Sequence, residues 1–359
     1  MSYTEGRVGG RCAAILAVLI AVITLAGCSE VVHGQAAPAL RSGVLGIPGP
    51  DEAETASFAK VRELDPCGFI DLRAVGAVLS PPTWVGTDQK PSECEVKIDP
   101  TKNRERIASI SVSPDVQLDD ADVPALADSN FNGGGTSCSA AIPYQGERGL
   151  FFYESDDYNM FDSDSTPTQV DHCPSLKKIV AASLPLFTTR PLRATSTHVV
   201  NFQLARMDPC AISTLLKWRY PHMSFGTDGS THRASTALSE CDIWTDGYRR
   251  DDSDRIGVSL WYQDKDVTVH LPADPGAPPG LMNPMWETIR GVDSRVVPPS
   301  GVATLCEINS YVKVNDSVLI PFLSNESPQP MVETIQSTAH DCDTARIVAD
   351  AAVRVYQRS

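Results

Sequence analysis

The chain has 359 residues, 42% of them apolar and 21% charged, with a formal net charge of −15. At about 150 residues per domain this length points to two domains, and the composition excludes both a chain disordered throughout and a multi-span membrane protein. The negative charge excludes a nucleic-acid binder, which needs a basic face to neutralise phosphates.

In chain order, Arg7 and Arg11 precede an apolar run from Cys12 to Ala26. That run is shorter than the ~20 residues of a membrane-spanning helix and has the layout of an export signal. It ends in Leu25-Ala26-Gly27-Cys28, which resembles a bacterial lipobox. The resemblance implies that residues 1–27 are a lipoprotein signal peptide and that Cys28 is the lipidation site and new N-terminus. Losing Glu5, Arg7 and Arg11 leaves 28 basic and 44 acidic residues, a charge of −16. Anionic lipid repels such a body, so two or more acyl chains are expected to hold it on the membrane. Residues 28–57, rich in Ala, Gly, Pro and Ser, read as a flexible tether.

Apart from Cys12 and Cys28, eight cysteines remain, and they fall into two sets of four with matching surroundings. Leu64-Asp65-Pro66-Cys67 recurs as Met207-Asp208-Pro209-Cys210. Gly86-Thr87-Asp88 recurs as Gly226-Thr227-Asp228, and Ser92-Glu93-Cys94-Glu95-Val96 as Ser239-Glu240-Cys241-Asp242-Ile243. Cys138 and Cys306 precede Ile142 and Ile308, and Cys173 and Cys342 open similar closing segments. A duplication is expected, with one repeat over 58–190, a linker over 191–199 and a second repeat over 200–359.

Each repeat reads as α+β. Asp65 and Asp208 are expected to cap helices that start at Pro66 and Pro209. Phe69, Ile70, Leu72, Val75 and Val78 follow at helical spacing, and Ile212, Leu215 and Leu216 do so more briefly. Alternation predicts strands at 94–98, 107–112, 150–153, 256–261 and 318–320. Closing helices carry Leu176, Ile179, Val180 and Leu184, then Ile347, Val348, Ala351, Ala352 and Val355. The order predicts two tandem domains, each an antiparallel sheet with helices packed on one side.

An exported chain oxidises its thiols. Sequential pairing, Cys67–Cys94, Cys138–Cys173, Cys210–Cys241 and Cys306–Cys342, would staple each helix start to a neighbouring strand. The rival reading is a zinc site using His172 or His340 beside the last cysteine of each set. The scattered thiols and the lack of CxxC disfavour it, and disfavour a thioredoxin-like role as well.

The lipobox followed by Val31-Val32-His33-Gly34-Gln35-Ala36 resembles mycobacterial envelope lipoproteins. The Asp-Pro-Cys helix, the Cys-Glu/Asp-Val/Ile strand and the closing cysteine helix resemble an actinobacterial lipoprotein domain of unknown function. They are also similar in style to the extracellular sensor domains of mycobacterial serine/threonine kinases. This chain departs from those by carrying two copies and no kinase domain. The resemblance implies α+β ectodomains that bind or sense something at the envelope, and it transfers no catalytic residue.

Chemistry is thinly marked. GxSxG, HExxH, GxxxxGK[ST] and GxGxxG are all absent from the sequence. Asp162-Ser163-Asp164-Ser165-Thr166 lacks the Gly and later Glu of a calcium loop, and like Asp251-Asp252-Ser253-Asp254 it reads as a solvated acidic loop. The second repeat is longer between its landmarks by 19 residues, around Pro272 to Val297. This insertion carries Met282, Met285 and Trp286 among prolines. It is expected as a stiffened loop that covers a ligand groove or docks a partner, unless Trp286 tucks into its own domain. Trp84 and Trp244 are expected in the cores.

The sequence thus predicts a non-enzymatic, ligand-binding or sensor/scaffold lipoprotein on the extracytoplasmic face of the cell membrane. It needs no cofactor, and its partner is an unidentified small molecule, lipid or envelope protein. Two lobes meeting at a short linker would offer a cleft for such a ligand. The alternative is an envelope hydrolase acting on cell-wall or lipid substrates.

Overall fold

The computed structural model describes residues 58–87, 89–103, 107–117, 124–134, 137–145, 148–156, 171–226, 238–245, 254–268, 285–299, 304–320 and 329–359. All belong to one compact unit. Asp65 caps the first turn as the sequence implies, its carboxylate accepting the Cys67 N–H, with Pro66 in the first position. The turn is a short 3-10 segment, Pro66–Phe69, not the start of one long helix. The chain straightens at Ile70 and restarts at Asp71, whose carboxylate accepts the N–H groups of Arg73 and Ala74 and caps α1 (Leu72–Val78). An aspartate inside a helix competes for backbone donors, and here it wins and divides the apolar run in two.

The first sheet follows from β1 (Pro82–Thr87), β2 (Cys94–Ile98), β3 (Ile107–Gln117), β4 (Phe131–Gly134), β5 (Ser137–Gln145) and β6 (Arg148–Asp156). Its order is β1-β2-β3-β6-β5-β4, every neighbour antiparallel. The closing helix α2 (Cys173–Ser183) buries Leu176, Ile179 and Val180 in one core with Val96, Ile110, Val112, Ile142, Leu150 and Phe152.

In the second repeat Asp208 likewise accepts the N–H of Cys210, and the turn Pro209–Ile212 runs directly into α3 (Ser213–Leu216). The strands are β7 (Ser224–Gly226), β8 (Glu240–Trp244), β9 (Arg255–Asp264), β10 (Met285–Ile289), β11 (Val292–Val297), β12 (Cys306–Ile320) and β13 (Gln329–Ala339). They form a seven-stranded antiparallel sheet of order β10-β11-β12-β13-β9-β8-β7. Read from β7, this order matches the first sheet strand for strand, with β10 added at the far edge. The helix α4 (Cys342–Tyr356) buries Ala345, Val348, Ala349 and Ala352 against Val258, Ile308 and Ile335. Trp244 is buried as expected.

Four disulfides form, in the sequential order expected: Cys67–Cys94, Cys138–Cys173, Cys210–Cys241 and Cys306–Cys342. Each joins a capped turn or closing helix to a strand. Because Cys173 and Cys342 are so engaged, they offer no thiolate to a metal beside His172 or His340.

The segment expected as a linker is built into a seam between the repeats. Leu192 forms a β-bridge with Leu64, and the Asp65 N–H donates to Pro191 O at 2.8 Å. Pro191 lies so close to Gly68 that a Cβ there would sit 2.3 Å from the proline ring, so only glycine fits. Arg193 is 3% exposed and donates to Pro91 O at 2.7 Å and to Arg62 O at 3.4 Å. Arg62 reaches the other way, pairing with Asp208 at 3.2 Å and donating to Leu238 O. Burial pulls both guanidinium pKa values down; Asp208 opposes this for Arg62, and Tyr262 and Asp65 oppose it for Arg193. Beyond the end of β8, the free edge of β9 is met by the first repeat, where Tyr262 N–H donates to Gln89 O at 2.6 Å. Lys90 pairs with Glu240 and lies 5.2 Å from the Trp261 ring. Trp84, expected inside the first core, packs partly buried against the second.

Two predictions follow from this packing. Arg62→Ala strands Asp208 and a buried carbonyl, and should lower stability by about 2–4 kcal/mol in chemical denaturation; a loss near zero would mean the seam does not couple the repeats. Asp341 caps α4 by accepting the Thr344 N–H and hydroxyl, which holds its pKa below the usual carboxylate range. A depressed carboxylate contributes stability above its unfolded pKa and loses it as pH falls. Asp341→Ala should therefore cost about 1 kcal/mol at neutral pH, and the gap to the wild type should close as pH drops through about 4 and below.

Candidate functional site on the outer face of the second sheet

Part of the insertion is a hairpin and not a loop: residues 285–297 supply β10 and β11. The turn between them is the two-residue Arg290-Gly291, both with positive φ, 52° and 81°. That is the backbone a tight hairpin demands, and glycine is the residue that adopts it without strain. Arg290 holds the same conformation at a cost, and α4 fixes it. Its guanidinium reaches Asp350 at 3.1 Å, and its carbonyl accepts from Gln357.

The register decides which side chains share a face. Trp286, Arg295, Asn309, Gln336 and Ser259 stand opposite one another across five strands, and Tyr311, Thr334 and Trp261 form the next row on that face. The opposite face, carrying Ser294, Ser310 and Ile335, is covered by α4, to which Glu287 is tied through Arg346 at 3.0 Å. On the outer face the Trp286 indole and the Tyr311 ring lie 5.8 Å apart at a tilt of 36°. Asn309 donates to Glu307 at 2.6 Å, and Thr334 donates to Gln263. Burial pushes the Tyr311 hydroxyl pKa up, while the Arg295 cation and its hydrogen bond pull it back.

Rings, a guanidinium, a carboxylate and amides gather on this β-face, which is largely closed from solvent: Asn309, Tyr311 and Thr334 are buried, and Trp286, Trp261 and Arg295 are half-buried. Such groups suit non-covalent recognition only where the half-buried ones stay accessible. Of the residues singled out in the sequence, Met285 lies at the edge and is 49% exposed, and Trp286 is half-buried on this face. Met282, the lipidation candidate Cys28, the acidic run 162–166 and residues 251–253 of the second acidic run lie outside the described residues. The sequence reading missed Tyr311, Arg295, Asn309 and Trp261. Only the alternation around Trp286 and Tyr311 hinted at them, and the register that joins them spans distant segments. No family model matches this chain, and neither the curated proteins nor the solved structures hold a match.

If this face is a surface and not a hidden core, Trp286→Ala should leave cooperative unfolding intact and cost about 1–2 kcal/mol. Emptying the buried Ile289 at the foot of the same strand should cost about 3 kcal/mol. Chemical denaturation of the two variants separates the cases, and a Trp286→Ala protein that fails to fold would assign the indole to the core.

Proposed function

We propose that this protein is an actinobacterial-type envelope lipoprotein, anchored through acylated Cys28 to the extracytoplasmic face of the cell membrane, that binds a ligand or partner without chemistry. The observation that carries the binding reading is the outer face of the second sheet, where β10, without a counterpart among the described residues of the first half, sets half-buried Trp286 against Tyr311 and beside Arg295. Four disulfides in a chain of this size fit an oxidising compartment. The lipobox supplies the anchor.

The finer architecture belongs to the same proposal. The chain is a duplication, with repeats at 58–190 and 200–359, each carrying its helices on one side of its sheet. The matching strand orders, the paired Asp-Pro-Cys turns and the equivalent disulfides support it. With 191–199 pinned in the seam, the two repeats present surfaces as one body instead of closing on a ligand like a hinge. The ligand class that suits the outer face is a small molecule or lipid headgroup with a flat apolar side and polar edges, or a segment of an envelope protein.

Native mass spectrometry of the protein extracted from its own membrane tests the binding reading. A retained adduct is expected, and Trp286→Ala should lose it while keeping the fold. A protein free of adduct in every preparation would remove the small-molecule version. Globomycin should leave an unprocessed precursor; unchanged processing would overturn the anchor.

A further inference from the structure

The most exposed large apolar side chain among the described residues is Trp218, at 78%. It sits in Lys217-Trp218-Arg219-Tyr220-Pro221-His222, between α3 and β7, where Lys217, Trp218, Arg219 and His222 are all exposed. This knuckle is ordered. Leu216 and Met223 are its two buried feet in the second core, 3% and 1% exposed, with Tyr220 packed against that core. The Arg219 and Tyr220 N–H groups both donate to Leu216 O, and the Met223 N–H donates to Tyr220 O. Arg219 also lies 5.8 Å from the Tyr220 ring and donates to its hydroxyl at 3.3 Å. A packed backbone therefore holds an indole out in water between two cations.

The charge around it is as unusual as the exposure. The chain has 45 acidic residues, yet none occurs between Asp208 and Asp228. Neither Lys217 nor Arg219 has an ion-pair partner among the described residues. The same turn of the first repeat reads Ala77-Val78-Leu79-Ser80-Pro81, uncharged, with Val78 and Leu79 packed against their own core.

We propose that this knuckle is a second membrane contact: the Trp218 indole enters the headgroup region of an anionic bilayer while Lys217 and Arg219 meet its phosphates. The proposal rests on the reading of Cys28 as the acyl anchor. Indoles and phenols favour the membrane interface, and lysine and arginine stems beside them extend their charges to the headgroups. A body of charge −16 is repelled as a whole. Screening over about 8 Å nevertheless leaves only the touching part to decide, and this turn can touch without bringing a neighbouring acid of its own segment. The tether leads into the chain at Phe58. Twenty-nine residues lie between Cys28 and Phe58, a reach of at most ~100 Å. Arg62, four residues further on, is bonded to Asp208, which lies ten residues before Trp218 along a path of short helical turns.

The test uses the full lipidated protein in vesicles of phosphatidylcholine alone, or mixed equally with phosphatidylglycerol, both with brominated acyl chains that quench tryptophan on contact. Flotation with the vesicles reads the anchor, and quenching reads the knuckle. Greater quenching is expected in the anionic vesicles, falling with added salt, and Trp218→Ser should remove that increment. Lys217→Glu with Arg219→Glu keeps the reporter and should weaken the contact at least about tenfold. Unchanged thermal midpoints in both variants keep the comparison on the surface. A protein that floats but is quenched alike in both lipids, or alike with and without the charge reversal, overturns the knuckle and leaves the anchor standing. If the charge reversal instead removes a cross-link to another envelope protein and leaves quenching unchanged, a protein sits there and the lipid assignment is wrong. A chain that does not float overturns both.

Discussion

Two arginines buried at the seam set the terms for the rest of the structure. A guanidinium out of water is costly unless its donors are met and its charge is balanced. Arg62 meets Leu238 O and Asp208 of the second repeat, and Arg193 meets Pro91 O and Arg62 O of the first. One nitrogen of Arg193, Nη1, makes no hydrogen bond among the described residues, but the Asp65 carboxylate and the Tyr262 hydroxyl favour its charge. Each cap aspartate therefore has a second role. Asp65 and Asp208 fix the turns that carry Cys67 and Cys210, and each faces a buried cation across the seam. Parting the repeats would strand both cations and free the edge of β9 that Gln89 closes. Hinge opening is correspondingly unfavourable.

The two halves share strand order and disulfide pattern, so their differences are informative. The outer face of the first sheet is mixed: Trp84, Glu95, Lys97 and Tyr153 share it with a set of serines. Ser109, Ser111, Ser139 and Ser155 lie on it, with Ser109 and Ser155 hydrogen-bonded at 3.0 Å. The same face of the second sheet is likewise aromatic and mixed-charge, and among the described residues β10 and the exposed Trp218 turn occur in the second half without a counterpart in the first.

What the sequence disclosed was what local rules decide. An aspartate before proline makes a capped turn, period two makes Cys94–Ile98 a strand, and a 3.6 period makes the closing helices. The cysteine pairing followed because each staple joins neighbours in that scheme. The central strand β13 was illegible because its core face carries Glu333 and Ser337 among apolar residues. Glu333 is fully buried and accepts from the Leu204 N–H at 2.8 Å, from Asn315 at 3.2 Å and from the Tyr356 hydroxyl at 3.3 Å. Leu204 lies 129 residues away, so the pattern reads as polar until the fold is closed. Arg62 and Arg193 were hidden for the same reason. The run Lys217-Trp218-Arg219 was visible, but its exposure depends on the burial of Leu216 and Met223, which periodicity does not show.

Open sheet edges invite pairing between copies of a chain. The strand lengths answer this. The edges β1, β4, β7 and β10 have three to six residues, whereas β3, β5, β6, β9, β12 and β13 have nine to fifteen. The free edge of β1 starts at Pro82, which has no N–H to donate, and its register with β2 slips before Trp84. On β10, Glu287 is drawn toward α4 by Arg346, and the Arg290 turn is pinned to the same helix, which limits how far that edge can flatten against another strand. The edge that adds the aromatic face is thus kept short and tied back. It therefore makes a poor template for self-association.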